Sequence, residues 1–409
     1  MNDYPQPSQS PQLWLRLVPA YALGYFLSYG LRSVNAVIAP DLMREMGISA
    51  VELGMLTSAY FLAFGLFQLP LGVLLDRFGP RRVEAVLLLV AAGGCALFAV
   101  GNSLQTLVLA RALIGLGVSA CLMASFKAFS QWFEVQRLAS LNATVMVAGG
   151  LGALSASVPI EMALPFIGWR GIFMAASGSL VLAAGFLWTV PDQTSTEKPQ
   201  PFAQQLQALG SIYRSRIFWR FAPLSCLSVG SYMALQGLWA VPWMMEVAGL
   251  TRSASANVLL IMSIAMLVGF LLIASGSIWL ARQGIAPRML FVFGMVLALV
   301  GQLGIVLELA PSIVVWSVMG FAFSFSNIAY PQLTAHFDKA LSGRVNTALN
   351  LIVFLGAFGL QWGVGALVDW FTVGGMERVS AFRTSFALLL AAQGLAFIWF
   401  WVPIRERER

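Results

Sequence analysis

Residues 72–82, GVLLDRFGPRR, form a short charged run between two long apolar stretches. Asp76 and Arg77 come first, and Arg81 and Arg82 follow within a few positions. Charged side chains this close to lipid are tolerated only at the membrane surface or beside groups that neutralise them. The run therefore predicts a loop at the membrane surface that joins two membrane-spanning helices.

The composition of the whole chain supports a membrane protein. Of its 409 residues, 59% are hydrophobic and 10% are charged, whereas soluble proteins carry about 25% charged residues. The net charge of +7 comes from basic residues clustered between apolar segments, which is the pattern of membrane topology and not of a nucleic-acid surface. Because metal-ligand clusters, nucleophile–histidine pairs and phosphate loops are missing from the sequence, we expect no enzyme, metal or cofactor.

Apolar runs of about 20 residues predict twelve membrane helices. They lie near 14–38, 54–75, 83–101, 105–130, 139–163, 170–190, 218–245, 254–280, 288–308, 312–335, 345–370 and 382–402. We predict two six-helix units, residues 1–190 and 218–409, joined by a linker over 191–217. Within the linker, 202–213 is predicted to be an amphipathic helix at the membrane surface. The polar start of the chain lacks a basic segment, which argues against a cleaved signal peptide.

The basic residues predict the orientation of the helices. If the N-terminus is cytoplasmic, sixteen Lys and Arg residues fall in inner loops and tails and five in outer loops. This asymmetry agrees with the positive-inside rule. We therefore predict that both termini are cytoplasmic and that the protein lies in the cytoplasmic (inner) membrane of a bacterium.

The two predicted units share an internal repeat. Arg137 and Arg344 are 207 positions apart, and Asn142 and Asn350 are 208 positions apart. Glycines that follow these residues repeat at the same spacing. A similar offset at separate places indicates two parallel repeats.

The pattern G-x-x-x-D-R-x-G-x-R-R between the second and third spans resembles the signature loop of the major facilitator superfamily. The resemblance extends over nearly all of the chain and implies an all-α membrane protein, with twelve transmembrane helices in two six-helix bundles related by pseudo-two-fold symmetry. It also implies that the loop is a conformational latch between the bundles. We assign the latch to Gly72, Asp76, Arg77, Gly79, Arg81 and Arg82. In the second-half copy, Ala281 stands where the aspartate is expected.

Two arginines within the spans are the candidate substrate ligands. Arg32 follows Tyr29 and precedes Asn35 in the first span, which resembles the first helix of the organic-anion branch of the superfamily. Arg111 lies in the fourth span, and both arginines are about six residues from the outer ends of their helices. A planar guanidinium suits bidentate recognition of an anion. Polar residues of other spans that we predict to line the pocket are Gln236, Asn327, Tyr330 and Gln361.

The acidic residues bear on the charge of the ligand. None of the seventeen lies in the middle of a span, so Arg32, Arg111 and Lys127 are predicted to lack an acid at matching depth. Cations without acidic partners in a medium of low dielectric constant favour an anionic ligand. Glu161 and Asp369, near the outer ends of their spans, stay open as carriers of a coupling proton.

We therefore expect a monomeric transporter, secondary active or facilitative, that moves a small organic anion by alternating access. Coupling to a proton or to an exchanged anion stays open. An exporter of drugs, siderophores or other amphiphiles is the alternative, although the glycine run at 149–152 lacks the Gly-Pro pair of drug antiporters. A third reading is a sensor that keeps the fold without transporting. The sequence specifies neither the substrate nor the direction of transport.

Overall fold

The computed structural model describes residues 11–191, 202–338 and 341–402. Within these ranges the chain is helical and contains no strand. The polar N-terminal segment 1–10, the first part of the linker (192–201) and the C-terminal tail 403–409 lie outside the described residues. So do five of the basic residues used for orientation, namely Lys198, Lys339, Arg405, Arg407 and Arg409.

Eight helices form the first half of the chain, and the linker contains one more. The helices of the first half are α1 (Pro11–Ser33), α2 (Asn35–Met46), α3 (Ala50–Phe78), α4 (Pro80–Val100), α5 (Leu104–Gly117), α6 (Cys121–Trp132), α7 (Val135–Ser155) and α8 (Val158–Trp188). Gly168, with φ of 62°, breaks α8 into two helical segments. The linker helix α9 (Phe202–Tyr213) has the predicted bounds, and its position at the membrane surface stays a prediction.

The second half also contains eight helices and one π-helical turn. These are α10 (Arg216–Ala234), the π-turn (Leu235–Trp239), α11 (Ala240–Glu246), α12 (Arg252–Arg282), α13 (Pro287–Leu307), α14 (Ser312–Ser326), α15 (Ala329–Thr334), α16 (Ser342–Val373) and α17 (Arg378–Trp401). We call the end of the bundle where 72–82 joins α3 to α4 the signature end. The opposite end, where α2 ends and α3 begins, is the far end.

The helices combine into the twelve predicted spans. Ten segments among the described residues are long and apolar enough to cross a membrane, and Ser140–Ser155 is a shorter apolar helix. The first span, formed by α1 and α2, is not among the ten because arginines and tyrosines lower its hydropathy. The break at Gly168 separates the fifth span from the sixth. The twelve-helix architecture is confirmed.

Helix contacts repeat between the two halves. Spans one and five pack together as α1 and α7, and spans seven and eleven pack together as α10 and α16. The same correspondence holds for α3 with α5 and α12 with α14. Between the halves, α3 packs against α16 and α7 packs against α12. The contacts therefore follow the internal repeat of the sequence.

Four spans are interrupted at mid-length, and they occupy equivalent places in the repeat. The breaks are at Val34 in the first span, 118–120 in the fourth, the π-turn in the seventh and 327–328 in the tenth. Pro331 has no backbone N–H, so it cannot donate a hydrogen bond to the Asn327 carbonyl one turn earlier. This explains the break in the tenth span. Interrupted helices free backbone groups in the interior, where membrane transporters build their binding sites.

A close helix crossing in the first half gives a stability prediction. A methyl group at Gly115 of α5 would overlap the Tyr60 carbonyl of α3, whereas one at Gly93 of α4 would meet nothing within 4 Å. We expect Gly115→Ala to destabilise the protein by about 1–3 kcal/mol through overpacking. The control Gly93→Ala is expected to be neutral or to stabilise by up to about 1 kcal/mol, because alanine favours helix. Thermal unfolding in detergent tests both, and equal unfolding temperatures for the two variants would contradict this packing.

Candidate functional site

Arg32 lies between aromatic rings of both halves. Its guanidinium carbon is 4.5 Å from the Tyr29 ring centroid, 5.4 Å from that of Phe64 and 5.6 Å from that of Phe354. Phe64 of α3 and Phe354 of α16 stack with their centroids 4.3 Å apart. The arginine is 7% exposed, and its Nε has no hydrogen-bond partner. A buried guanidinium that is held mainly by ring faces keeps donors available for an anion.

Unpartnered amides lie on the helices around Arg32. Asn35 is fully buried at the start of α2, and neither its nitrogen nor its oxygen has a partner. Gly237 of the π-turn lies against both the Arg32 carbonyl and the Gln361 side-chain nitrogen. A Cβ added to this glycine would be within 3.5 Å of each of these atoms. The Oε1 of Gln361 is unpartnered. Gln236, also in the π-turn, donates to Ser263 Oγ at 3.2 Å.

Arg111 has a different environment from Arg32. It is 1% exposed, and its Nη1 donates to the Leu31 carbonyl at 3.1 Å, just before the break in the first span. Its guanidinium carbon is 5.1 Å from the Tyr60 ring centroid. The hydroxyl of Tyr60 donates to the Ser28 carbonyl and interacts electrostatically with both arginines. Arg111 therefore supports the backbone that carries Arg32, and Tyr60 lies near both cations.

Asn327 and Tyr330 lie in another part of the second half. Asn327 is half-buried at the break between α14 and α15. The Tyr330 hydroxyl donates to Asn350 Oδ1 of α16 at 3.0 Å, and Tyr330 packs against the core cluster near the signature end. The structure therefore groups Arg32, Tyr29, Asn35, Gln236 and Gln361 near the centre, with Arg111 behind them. It does not place Asn327 and Tyr330 in that group.

The prediction that the buried cations lack acids is wrong for Lys127. Its Nζ forms an ion pair with Asp76 across the first half, because the signature loop directs Asp76 toward α6. The interior also contains Glu84, which is 0% exposed. Glu84 shares a helix face with Leu88, Ala91 and Cys95, which are all buried. The helical periodicity of these apolar residues in the sequence indicates that Glu84 is buried too.

The signature loop contacts the first half. Gly79 has φ of 81°, which ends α3 and allows α4 to begin at Pro80. Arg81 Nη1 donates to the carbonyl of Trp188, the last residue of α8, at 3.4 Å. It also donates to the carbonyl of Val190, just after that helix, at 2.9 Å. Asp76 of this loop forms an ion pair with Lys127 of α6. The role of this loop as a latch stays a prediction.

Two polar contacts join the halves at the far end. Arg252 of α12 donates to both carboxylate oxygens of Asp41 in α2, at 2.8 and 3.0 Å. The Val51 backbone nitrogen of α3 donates to Asp369 of α16 at 2.7 Å. Gly365 of α16 packs against the Ala50 carbonyl so closely that a methyl group would overlap it. The far end is therefore closed in this structure.

Surface pockets do not coincide with the predicted site. A pocket of about 390 Å³ at the far end is lined by charged residues that include Asp41, Glu161 and Arg252. A second one, of about 470 Å³, lies at the far end of α12–α14 and is mostly apolar. Neither contains a predicted substrate ligand. The central group around Arg32 is the better candidate for a ligand site, because several of its polar atoms are buried and unpartnered.

Comparison with known proteins identifies the family. A family model described as the Major Facilitator Superfamily matches residues 21–361. The chain belongs to the major facilitator superfamily. It is an integral membrane transporter and not an enzyme.

Several relatives of this superfamily member are named for organic acids. The chain is 24% identical to the hexuronate transporter of Escherichia coli K12, over 96% of this chain and 94% of that protein. It is 28% identical to a probable sulfoacetate transporter of Cupriavidus necator, but over less than half of either protein (46% of this chain and 44% of the relative). A probable L-galactonate transporter of Escherichia coli K12 is 31% identical over 36% of this chain and 33% of its own length.

Solved structures share the superfamily fold. A bacterial homologue of the human lysosomal transporter Spinster, in an inward-facing and unoccupied conformation, has a TM-score of 0.75 at 16% identity. That similarity covers 96% of this chain and 97% of the homologue. A D-xylose–proton symporter has a TM-score of 0.76 at 17% identity, over 96% of this chain and 98% of its own. At these identities the similarity concerns the fold alone.

Proposed function

We propose that this protein transports a small organic anion by alternating access, with the anionic group held by Arg32. The observation that carries the proposal is the state of this side chain. Among the described residues no carboxylate pairs with Arg32, and its Nε is unpartnered although the group is buried. A cation costs about 2.5–3.5 kcal/mol at the centre of a membrane, and an anionic ligand offsets part of that cost.

The surrounding groups support a hydroxylated anion. Asn35 and Gln361, on the elements that meet near the Arg32 backbone, offer unpartnered amide atoms, and Tyr29 supplies a ring face. Such amides suit hydroxyl groups, which both donate and accept hydrogen bonds. Hexuronates and galactonate, for which two relatives are named, combine a carboxylate with several hydroxyls. We therefore place this class of substrate first. Arg111 acts as a positioning residue through the Leu31 carbonyl.

The architecture of the transport cycle is part of the proposal. We assign residues 1–190 and 218–409 to two bundles that rock against each other, with 191–217 as the cytoplasmic linker. Both termini face the cytoplasm of a bacterial inner membrane, and the protein acts as a monomer. Closure at the far end then corresponds to an inward-facing state. The signature loop, with Gly72 and Arg82 among its residues, becomes a latch between the bundles when the signature end closes.

Binding and uptake of defined anions test this function. The unfolding temperature of the purified protein is expected to rise with glucuronate, galacturonate or galactonate. An anion at 100 times its dissociation constant should raise the free energy of unfolding by about 2.7 kcal/mol. Neutral xylose is the control and should give no rise. Proteoliposomes should then take up the anion that stabilises the protein. If no anion stabilises it and cells export a cationic dye instead, the alternative of an amphiphile exporter is favoured.

A further inference from the structure

Glu84 is a buried acid for which the proposed anion site has no use. It lies in the second turn of α4, is 0% exposed, and neither carboxyl oxygen has a hydrogen-bond partner. Its Oε1 packs directly against Gly24 of α1, where a methyl group would overlap it. The Cys121 sulfur lies at the same place, 3.8 Å from where that methyl would be. Three helices, α1, α4 and α6, therefore enclose the carboxyl group.

Three cations on the helices of the first half are engaged by groups other than Glu84. Lys127 of α6 pairs with Asp76 of α3, Arg111 of α5 donates to the Leu31 carbonyl, and Arg170 of α8 pairs with Glu45. On α1, Tyr25 interacts with Tyr29 and Arg32, and on α6 the Cys121 thiol adjoins Glu84. An ionised carboxylate without a partner is very costly in such surroundings, which favours the protonated form of Glu84.

The position of Glu84 near the N-terminus of α6 would also stabilise the ionised carboxylate. Cys121 is the first residue of α6, directly after the break at 118–120 in the fourth span. A helix N-terminus stabilises negative charge by about 0.3–1 kcal/mol, and more where it is partly buried. Cys121 also interacts electrostatically with Arg32. A rearrangement at the break that admits water would therefore give the carboxylate both hydration and a helix N-terminus.

We propose that Glu84 is a proton-binding site that couples protonation to the alternating-access movement. The proton occupies Glu84 while the far end is closed. When the first half rearranges at the fourth-span break, the Glu84 Oε–H bond breaks and the proton passes to water. This inference rests on the proposed alternating access. It differs from the expectation that Glu161 or Asp369 carries the proton, since Asp369 accepts a hydrogen bond from Val51 and Glu161 lines the far-end pocket.

Infrared spectroscopy of the full-length protein in liposomes tests the protonation directly. At neutral pH the wild type is expected to show the C=O stretching band of a protonated carboxylic acid, with a downshift in D₂O. Glu84→Gln should lose this band. The control Glu134→Gln removes an exposed acid at the same end and should keep it. Identical carboxylic-acid bands in the wild type and in Glu84→Gln would overturn the proposal, whatever anion the protein transports.

A distance measurement tests the coupling without any substrate. Spin labels at Phe166→Cys and Val373→Cys report on the far end, since both side chains are more than 85% exposed there. Cys226→Ser removes a native thiol, and Cys95 and Cys121 are 0% exposed. Raising the pH is expected to shift the wild-type distribution toward longer distances, because ionisation of Glu84 disfavours the closed far end. Glu84→Gln, which mimics the neutral acid, should keep the short distance at every pH.

Two outcomes of the distance measurement overturn the inference. One is a wild-type distribution that does not change with pH, and the other is an unchanged pH response in Glu84→Gln. Thermal stabilisation by galactonate in Glu84→Gln, compared with the wild type, separates this inference from the proposed function. We expect galactonate to stabilise Glu84→Gln as it does the wild type. If galactonate stabilises neither protein, the proposed anion site is contradicted, and the inference about Glu84 is not.

Discussion

Replacing Arg32 with glutamine is expected to lower kcat/KM for anion uptake roughly 100-fold. The expected loss follows from the 2–5 kcal/mol that truncating one partner of a buried charged pair typically costs, at about 1.4 kcal/mol per factor of ten. Arg32→Lys keeps the charge but loses the planar donor geometry, so an intermediate loss is expected. Initial rates in proteoliposomes with the anion that gives the largest thermal shift measure the effect.

Two controls make the Arg32 result interpretable. Arg16 lies on the same helix and is exposed, so Arg16→Gln should leave uptake within a factor of about two of the wild type. Arg111→Gln removes the hydrogen bond to the Leu31 carbonyl and should lower the unfolding temperature even without anion. Arg32→Gln should change the unfolding temperature less than Arg111→Gln does. Uptake that survives in Arg32→Gln would exclude Arg32 as the anion ligand.

Breaking the ion pair between Asp41 and Arg252 is expected to open the far end. Arg252→Gln removes two hydrogen bonds to a carboxylate whose side chain is 14% exposed. Hydrogen bonds to charged groups contribute about 1.5–3 kcal/mol, so the ratio of open to closed molecules should rise about tenfold or more. The spin-label pair at positions 166 and 373 should report the longer distance, and uptake should fall because the cycle stalls in one state.

Arg44 is the matched control for this ion pair. It also contacts Asp41, at 2.9 Å, but its side chain is 81% exposed. Exposed pairs contribute about 0–1 kcal/mol, so Arg44→Gln should hardly change the distance distribution. The exchanged pair Asp41→Arg with Arg252→Asp should restore part of the closed population. An unchanged distribution in Arg252→Gln would show that other contacts, such as Val51 with Asp369, suffice to close the far end.

The sequence was sufficient to predict the architecture because the membrane restricts it so strongly. Apolar length and charge asymmetry report on spans directly, and the linker helix at 202–213 followed from its amphipathic pattern. The partners of individual side chains depend on helix rotation and packing instead. That is why Asp76 was not matched with Lys127, and why Glu84 went unnoticed near the start of its helix. The breaks at Val34 and 118–120 have no proline at the break to mark them.

The candidate site could be predicted only in part for the same reason. Arg32 was identified because an arginine within an apolar span is costly enough to need a role. Arg111 meets the same criterion, but its Nη1 donates to the Leu31 backbone carbonyl, while its Nε is unpartnered like that of Arg32. Asn327 and Tyr330 are polar residues within an apolar span, but Tyr330 donates its hydroxyl hydrogen to Asn350 in the structure. Residue type alone does not distinguish a ligand from a residue that stabilises helix packing.

The stacked rings of Phe64 and Phe354 have a consequence for permeation. One ring comes from each half, and at 4.3 Å between centroids no hydrated ion fits between them. The seam between α3 and α16 is therefore sealed beside Arg32 by two apolar faces in contact. A solute that passes along this seam must first separate the two rings. Under the proposed alternating access, this seam is therefore a closed contact and not a conducting pore while the two rings are stacked.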